Sequence, residues 1–220
     1  MKRVLTGIKP TGNLHIGNYF GAIGPAIEIA KNNEGFFFVA DLHALNQIRD
    51  KEILKQNIRS VLGVWIASGL DLNKSCLYRQ SDIPEITELS VILSAVTPKG
   101  WMNKAHAYKA AVDANNESGK DTDAGVNMGL YTYPILMAAD ILAVGVQDVP
   151  VGKDQIQHVE IARDIALNFN KLYGDVLVVP EYSVVEESAV IPGLDGRKMS
   201  KSYDNVIPLI GNREIWAKLA

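Results

Sequence analysis

The sequence predicts an α/β protein, a Rossmann-like doubly wound parallel sheet with helices on both faces. Short apolar runs of strand formers alternate with longer stretches of helical periodicity, which in combination indicate parallel strands joined by crossover helices. Glycines crowd the first strand-to-helix junction, where such sheets receive phosphates.

Val4-Leu5-Thr6-Gly7-Ile8 is the first strand, ended by the turn residues Lys9-Pro10-Thr11-Gly12. From Gly17 apolar residues recur at three- to four-residue spacing (Tyr19-Phe20, Ile23, Ile27, Ala30), with Pro25 expected to kink this helix or to lie near its surface. Phe36–Ala40 reads as a strand buried on both faces and leads into Asp41-Leu42-His43. Asp50 is placed to cap a helix over Lys51–Ser68 whose inner face carries Ile53, Leu54, Ile58, Val61, Leu62 and Trp65, with Gly69 at its exit. Cys76–Arg79 is a third strand and Ile86–Val96 a further helix. The polar stretch Asp113–Asp123 reads as a mobile loop or lid, Tyr133–Val144 as a core helix, Asp154–Leu172 as an amphipathic helix, and Val176–Val179 as a last buried strand.

Composition bounds the function. With 220 residues, 47% hydrophobic and 21% charged, the chain is long enough for a full-sized domain and is not compositionally disordered. Twenty-two basic and 25 acidic residues give a net charge of −3, so no strong positive field advertises nucleic acid. The lone Cys76 excludes an internal disulfide framework and points to a reducing, cytoplasmic compartment. His15, His43, His106 and His158 are scattered, which excludes a zinc site at ligand spacing. No apolar run approaches the ~18 residues that span a bilayer, and Met1-Lys2-Arg3 leads into a strand rather than a secretory signal. Asn212–Ala220 opens a new helix and stops, which suggests that a C-terminal part lies beyond it.

The glycine-rich junction lacks the usual fingerprints. Gly12-x4-Gly17 has P-loop spacing, but Asn18-Tyr19 stands where Lys-Ser/Thr is required, and no G-x-G-x-x-G occurs. Instead the loop carries His15-Ile16-Gly17-Asn18, in which a histidine at a helix start can hydrogen-bond a phosphate oxygen and Gly17 admits a nucleotide close to the backbone. Far downstream, Gly196-Arg197-Lys198-Met199-Ser200-Lys201-Ser202 puts two compact cations on a glycine-hinged loop, suited to neutralising a polyphosphate. Taken singly, each has an ordinary alternative: tight turns, a capping histidine, a basic surface loop. A Ser–Lys nucleophile pair lacks its partner motifs.

Together, His15-Ile16-Gly17-Asn18 resembles the HIGH motif of class I aminoacyl-tRNA synthetases, and Lys198-Met199-Ser200-Lys201-Ser202 matches their KMSKS motif letter for letter. Gly7–Gly12, Tyr133–Leu142 and Val149–His158 extend the likeness across essentially the whole chain and resemble the tryptophanyl-tRNA synthetases within that family. The resemblance implies a catalytic domain over residues 1–205 that binds ATP and tryptophan, with 206–220 opening a truncated helical, anticodon-binding domain.

The side-chain specificity has its own chemistry. Asp140 lies in an otherwise apolar helix, where a carboxylate costs several kcal/mol unless paired. Either an Arg or Lys elsewhere satisfies it, or it awaits a donor from the ligand. An indole N–H is donor only and matches an acceptor-only carboxylate, although a tyrosine phenol could also donate. Met137 favours indole, since tyrosyl relatives carry Gln there and a polarizable thioether suits an indole face. The resemblance further implies that Tyr133 and Gln155 hold the substrate ammonium, and that Leu5, His43, Ile141, Val149 and Val151 wall the indole. It gives ATP contacts to Lys9, Pro10, Thr11, Gly17, Asn18, Gly152, Lys153, Asp154, Val190, Lys198, Met199, Ser200, Lys201 and Ser202, with Asp154 accepting from the ribose. His15, Lys198 and Lys201 are the catalytic candidates, and Mg²⁺ is expected to be held mainly through ATP phosphates. Two departures stand out: Lys9 replaces a common Gln, and the loop around Lys109 and Lys120, either of which could serve as a further phosphate ligand, differs in sequence.

The implied reaction joins tryptophan to the α-phosphate of ATP, releases pyrophosphate and then charges tRNA. Implied partners are L-tryptophan, its tRNA and a second copy of the chain, with no membrane. Alternatives are a tyrosine-specific synthetase, an adenylyltransferase on the same fold, which should lack the lysine loop, and a synthetase-derived binding protein, which should have lost His15 or the lysines.

Overall fold

Strand-forming runs and capped amphipathic segments set the observed element order directly. The computed structural model describes residues 1–184, 191–197, 199 and 203–211. Val190, Lys198, Ser200, Lys201, Ser202 and the helix expected over 212–220 lie outside the described residues. The elements in order are β1 (Arg3–Ile8), α1 (Ile16–Asn18), a π-helical turn (Tyr19–Ile23), α2 (Gly24–Ala30), β2 (Glu34–Val39), α3 (Asp41–Ala44), α4 (Lys51–Ala67), β3 (Ser75–Arg79) and a 3₁₀ turn (Gln80–Asp82). There follow α5 (Pro84–Val96), α6 (Lys99–Met102), α7 (His106–Glu117), α8 (Met128–Ala143), β4 (Asp148–Val151), a 3₁₀ turn (Lys153–Gln155), α9 (Ile156–Tyr173) and β5 (Glu181–Val184).

The five strands form one parallel sheet in the order β3-β2-β1-β4-β5, a Rossmann-like α/β architecture. The order reverses at β1, the topological switch point beside which such sheets bind ligands at strand carboxyl ends. In unit 1 the chain leaves β1 into Lys9–Gly12, and in unit 2 it leaves β4 into Gly152–Gln155.

Contacts divide the chain into two compact units. Unit 1 holds Thr6–Tyr78 and the described residues from Ile191 onward; unit 2 holds Lys2–Leu5 and Arg79–Val184. In unit 1, α2 and α4 cover β2, burying Ile23, Ala26, Ile27, Phe37, Val61, Val64 and Trp65, with the Phe37 and Trp65 rings 4.8 Å apart. In unit 2, α8 packs against both α5 and α9.

Local chemistry explains the boundaries. Asp50 Oδ1 accepts from the backbone N–H groups of Glu52 and Ile53, the N-cap expected for α4, and Gly69 leaves the helix at φ 91°. Asn127 caps α8 by accepting from the Leu130 N–H, so that helix begins before Tyr133. Pro25 sits in the first turn of α2, where its missing N–H is no loss. The π turn preceding it carries the Gly24 N–H to the Tyr19 carbonyl.

Three expectations are corrected. Val176–Val179 is not a buried strand: Val176 and Val178 are 65% and 40% exposed, and the Asn170 side chain binds the Val176 and Leu177 N–H groups and the Leu177 carbonyl, displacing any ladder; β5 starts at Glu181. Asp113–Glu117 is helical, the end of α7, because the alanines at 107, 110, 111 and 114 outweigh its polarity. Ile53 is 50% exposed; Asn57 and Val64 take the inner positions of α4 instead.

Candidate active site

In unit 1, β1 delivers the chain into a turn at Gly12, whose φ of 136° favours glycine. The buried amide of Asn57, on α4, donates to the Pro10 carbonyl at 3.1 Å and so fixes Lys9-Pro10-Thr11 from below. Lys9 remains solvent-accessible, yet surrounding protein strips water from its ammonium and lowers its pKa. His15 is the N-cap of α1 with extended backbone and is 9% exposed; its N–H donates to Asn18 Oδ1 at 3.0 Å. A methyl group on Gly17 would lie 3.0 Å from the His15 ring, so glycine there lets the imidazole occupy its place.

The downstream loop meets this segment. Ile16 N–H donates to the Ile207 carbonyl and Leu209 N–H to the Leu14 carbonyl, making an antiparallel bridge between His15 and Pro208. Met199 is 7% exposed, its N–H bound to the Ile191 carbonyl, and its sulfur would lie 3.7 Å from a Gly17 Cβ. The loop is tied at its base: Gly193 N–H reaches the Arg197 carbonyl, Leu194 N–H the Asn205 carbonyl, and a Cβ on Gly193 would collide with Asn205 at 2.3 Å. Asn205 Nδ2 donates to Asp195 Oδ1 at 2.6 Å; that bond first, then Arg197, lowers the Asp195 carboxyl to about 2. Arg197 also lies over the Tyr203 ring at 4.6 Å. The two segments expected to share a nucleotide are thus adjacent within unit 1. Of the lysine motif itself, Met199 belongs to the described residues. His43, half-buried on α3, also belongs to unit 1.

Unit 2 holds further residues that the sequence singles out. Tyr133, Met137, Asp140 and Ile141 recur at helical spacing along α8. Val4 pairs with Asp148, so Leu5, Val149 and Val151 share one face of the sheet; all three are buried, as is Ile141. Asp140 is 1% exposed, and Gln80 Nε2 donates to its two oxygens at 2.8 and 3.0 Å. That amide satisfies part of the carboxylate's acceptor capacity without neutralising its charge. Tyr133 Oη and His158 Nε2 are hydrogen-bonded, His158 Nδ1 lies 3.0 Å from Gln155 Oε1, and Gln155 Nε2 donates to Asp154 Oδ2 at 2.8 Å. Burial raises the Tyr133 pKa. Gly152 admits the Asp154 carboxylate, whose Oδ1 would stand 2.8 Å from a Cβ there, and Lys153 is exposed. Among the described residues no group of three or more His, Cys, Asp and Glu side chains could hold a metal, and no helix is long and apolar enough to cross a membrane.

Three residues escaped sequence reasoning: Gln80, Asn57 and, as a site residue, His158. Gln80 follows a strand, in a 3₁₀ turn with no periodic mark, and Asn57 reads as one more polar helix position. His158 follows Gln155 by one helical turn, a spacing that offered the only signal.

The sheet, the histidine–glycine turn and the loop carrying Met199 define a class I synthetase catalytic fold. The chain belongs to the family of class I tRNA synthetases for W and Y, whose model matches residues 1–219. It is 55% identical over 212 residues to the tryptophan–tRNA ligase of Pseudomonas aeruginosa, covering 94% of this chain and 47% of that protein. The ligase of Xanthomonas campestris is 53% identical over 220 residues, covering 99% of this chain and 51% of that one. The tryptophanyl-tRNA synthetase of Campylobacter jejuni, solved with ADP and tryptophan, superposes with a TM-score of 0.87 at 46% identity, covering 99% of this chain and 66% of that one. The chain therefore spans about half the length of these two curated relatives.

Proposed function

We propose that this chain carries the amino-acid-activating part of a tryptophan–tRNA ligase, which joins L-tryptophan to ATP as tryptophanyl-adenylate with release of pyrophosphate and then passes tryptophan to its tRNA. The observation that carries this is the seating of Met199 beside Gly17, which brings the lysine-loop segment to the histidine-bearing turn. The residues themselves favour tryptophan over tyrosine, since Met137 is apolar on the α8 face that carries Asp140, and the tryptophan–tRNA ligases above support the same choice.

The substrate carboxylate is ionised at neutral pH, so no general base is required. Its oxygen attacks the α-phosphorus, the bond to the bridging oxygen of the β-phosphate breaks, and pyrophosphate leaves. Catalysis is then positioning and charge neutralisation. His15, Lys198 and Lys201 act on the phosphates; Lys9, Pro10, Thr11, Gly17 and Asn18 line the nucleotide and substrate carboxylate; Gly152, Lys153 and Asp154 take the ribose, and Val190, Met199, Ser200 and Ser202 complete the ATP contacts. Mg²⁺ would be held mainly through ATP phosphates and would supply further positive charge. Asp140 accepts from the indole N–H, while Tyr133 and Gln155 bind the ammonium. Residues 1–205 form the catalytic domain and 206–220 lead into a helical tRNA-reading domain; the working protein is a cytoplasmic homodimer.

ATP–pyrophosphate exchange with each of the twenty amino acids tests this. Exchange with tryptophan alone is expected; exchange with tyrosine instead, or with none, overturns it.

A further inference from the structure

We infer that His158 is a positioning residue that fixes Tyr133 and Gln155 as two hydrogen-bond acceptors, making their pocket selective for the α-ammonium of the amino acid. This deepens the proposed function and rests on it.

The inference follows from proton bookkeeping along one chain of contacts. Gln155 Nε2 donates to Asp154 Oδ2 at 2.8 Å; flipped, the amide would set its oxygen against that carboxylate, acceptor to acceptor. Gln155 therefore presents Oε1 to His158 Nδ1, 3.0 Å away, and since Oε1 only accepts, Nδ1 carries the imidazole proton. In the neutral ring Nε2 is then an acceptor, and its partner, the Tyr133 hydroxyl, must donate. Burial raises the Tyr133 pKa, which keeps the phenol protonated as that role demands.

The consequence lies at the far side of both partners. The single phenolic proton goes to His158, so toward a ligand Tyr133 Oη can only accept. Gln155 Oε1 keeps a second lone pair and likewise only accepts. Two acceptor oxygens held by the two nitrogens of one ring suit a group with several N–H donors and a positive charge, and they repel a carboxylate or phosphate oxygen. With the imidazole removed, the phenol could turn its proton outward and the amide could flip, so the pocket would no longer distinguish donor from acceptor. His158 is 7% exposed, and its ring meets Tyr133 edge-on with centroids 5.3 Å apart, which leaves it little freedom to turn. It sets the sign of recognition through its neighbours.

The test compares L-tryptophan with indole-3-propionate, which keeps the indole and carboxylate but lacks the amine, by titration calorimetry on the chain and on His158→Phe, His158→Asn and His158→Gln. The unaltered chain is expected to prefer tryptophan. His158→Phe should weaken tryptophan by about tenfold or more while indole-3-propionate changes by less than about twofold. His158→Asn, able to donate to Gln155, and His158→Gln, able to accept from Tyr133, should each lose only part of the preference. Equal weakening of both ligands in His158→Phe would mark a purely structural role and overturn the inference, as would an undiminished preference for tryptophan. Should His158→Phe fail to melt cooperatively, full retention of the preference in both amide variants overturns it and reduction in both supports it. An unaltered chain that does not prefer tryptophan overturns the proposed function itself, before any variant is considered.

Discussion

Gly17 lies against Met199: a methyl group at position 17 would stand 3.7 Å from the methionine sulfur and 3.0 Å from the His15 ring. Gly17→Val should therefore displace the imidazole from its place at the helix start. A misplacement near 1 Å can cost on the order of a hundredfold in rate, so kcat for pyrophosphate exchange should fall by about tenfold to a hundredfold. Tryptophan affinity should stay unchanged, and exchange kinetics beside equilibrium binding check both.

Lys201→Ala should likewise depress kcat for activation with little effect on tryptophan binding, whereas Asp140→Ala should remove the preference for tryptophan because the indole donor loses its acceptor. Undiminished tryptophan affinity in the Asp140 variant would cancel the assignment of that pocket.

Gln80 is fully buried and donates to both oxygens of Asp140. Gln80→Leu leaves a buried carboxylate short of a donor and should destabilise the protein by about 1–3 kcal/mol. Gln80→Glu should be worse, since it sets one carboxylate against another. Urea denaturation midpoints report both.

Asn205→Ala should raise the Asp195 carboxyl from about 2 toward its ordinary value of 3.8, because the Asn205 amide is the main cause of the depression. A carboxyl lowered on folding contributes stability that is complete above its unfolded value and disappears as pH falls through its folded one. The tie at the loop base should accordingly weaken between about 3.8 and about 2, and NMR titration of the Asp195 carboxyl follows the change.

On α4, Asp50→Ala should cost about 1 kcal/mol by removing a cap that serves two N–H groups. Gly63→Ala should add about 0.5–1 kcal/mol, since position 63 is helical, exposed and open around its missing Cβ. Denaturant curves with unchanged slope are the check.

β1, β2 and β3 were legible because each is a short run of strand formers, and α4 because Asp50 and Gly69 mark its ends; β4 and β5 were not, since Pro150 interrupts one and Glu181 and Ser183 make the other half polar. Val176–Val179 misled for a physical reason: β-branched composition does not form a strand when a side chain, here Asn170, takes the backbone groups first. The end of α7 was missed because alanine propensity acts without an apolar stripe. Of the candidate site, Tyr133, Met137, Asp140, His15 and Gly17 were singled out by motif and spacing. Gln80 and His158 could not, because the partners that define their roles, Asp140 and Tyr133, lie 60 and 25 positions away.

The π turn at Tyr19–Ile23 fits one extra residue into the helix that starts at His15 and ends at Ala30. Each helical residue rotates the chain by about 100°, so this insertion sets how the imidazole end is angled relative to the anchored stripe of Ala26, Ile27 and Ala30. Shortening that turn by one position would leave the anchor in place and swing the histidine about a quarter-turn around the helix axis.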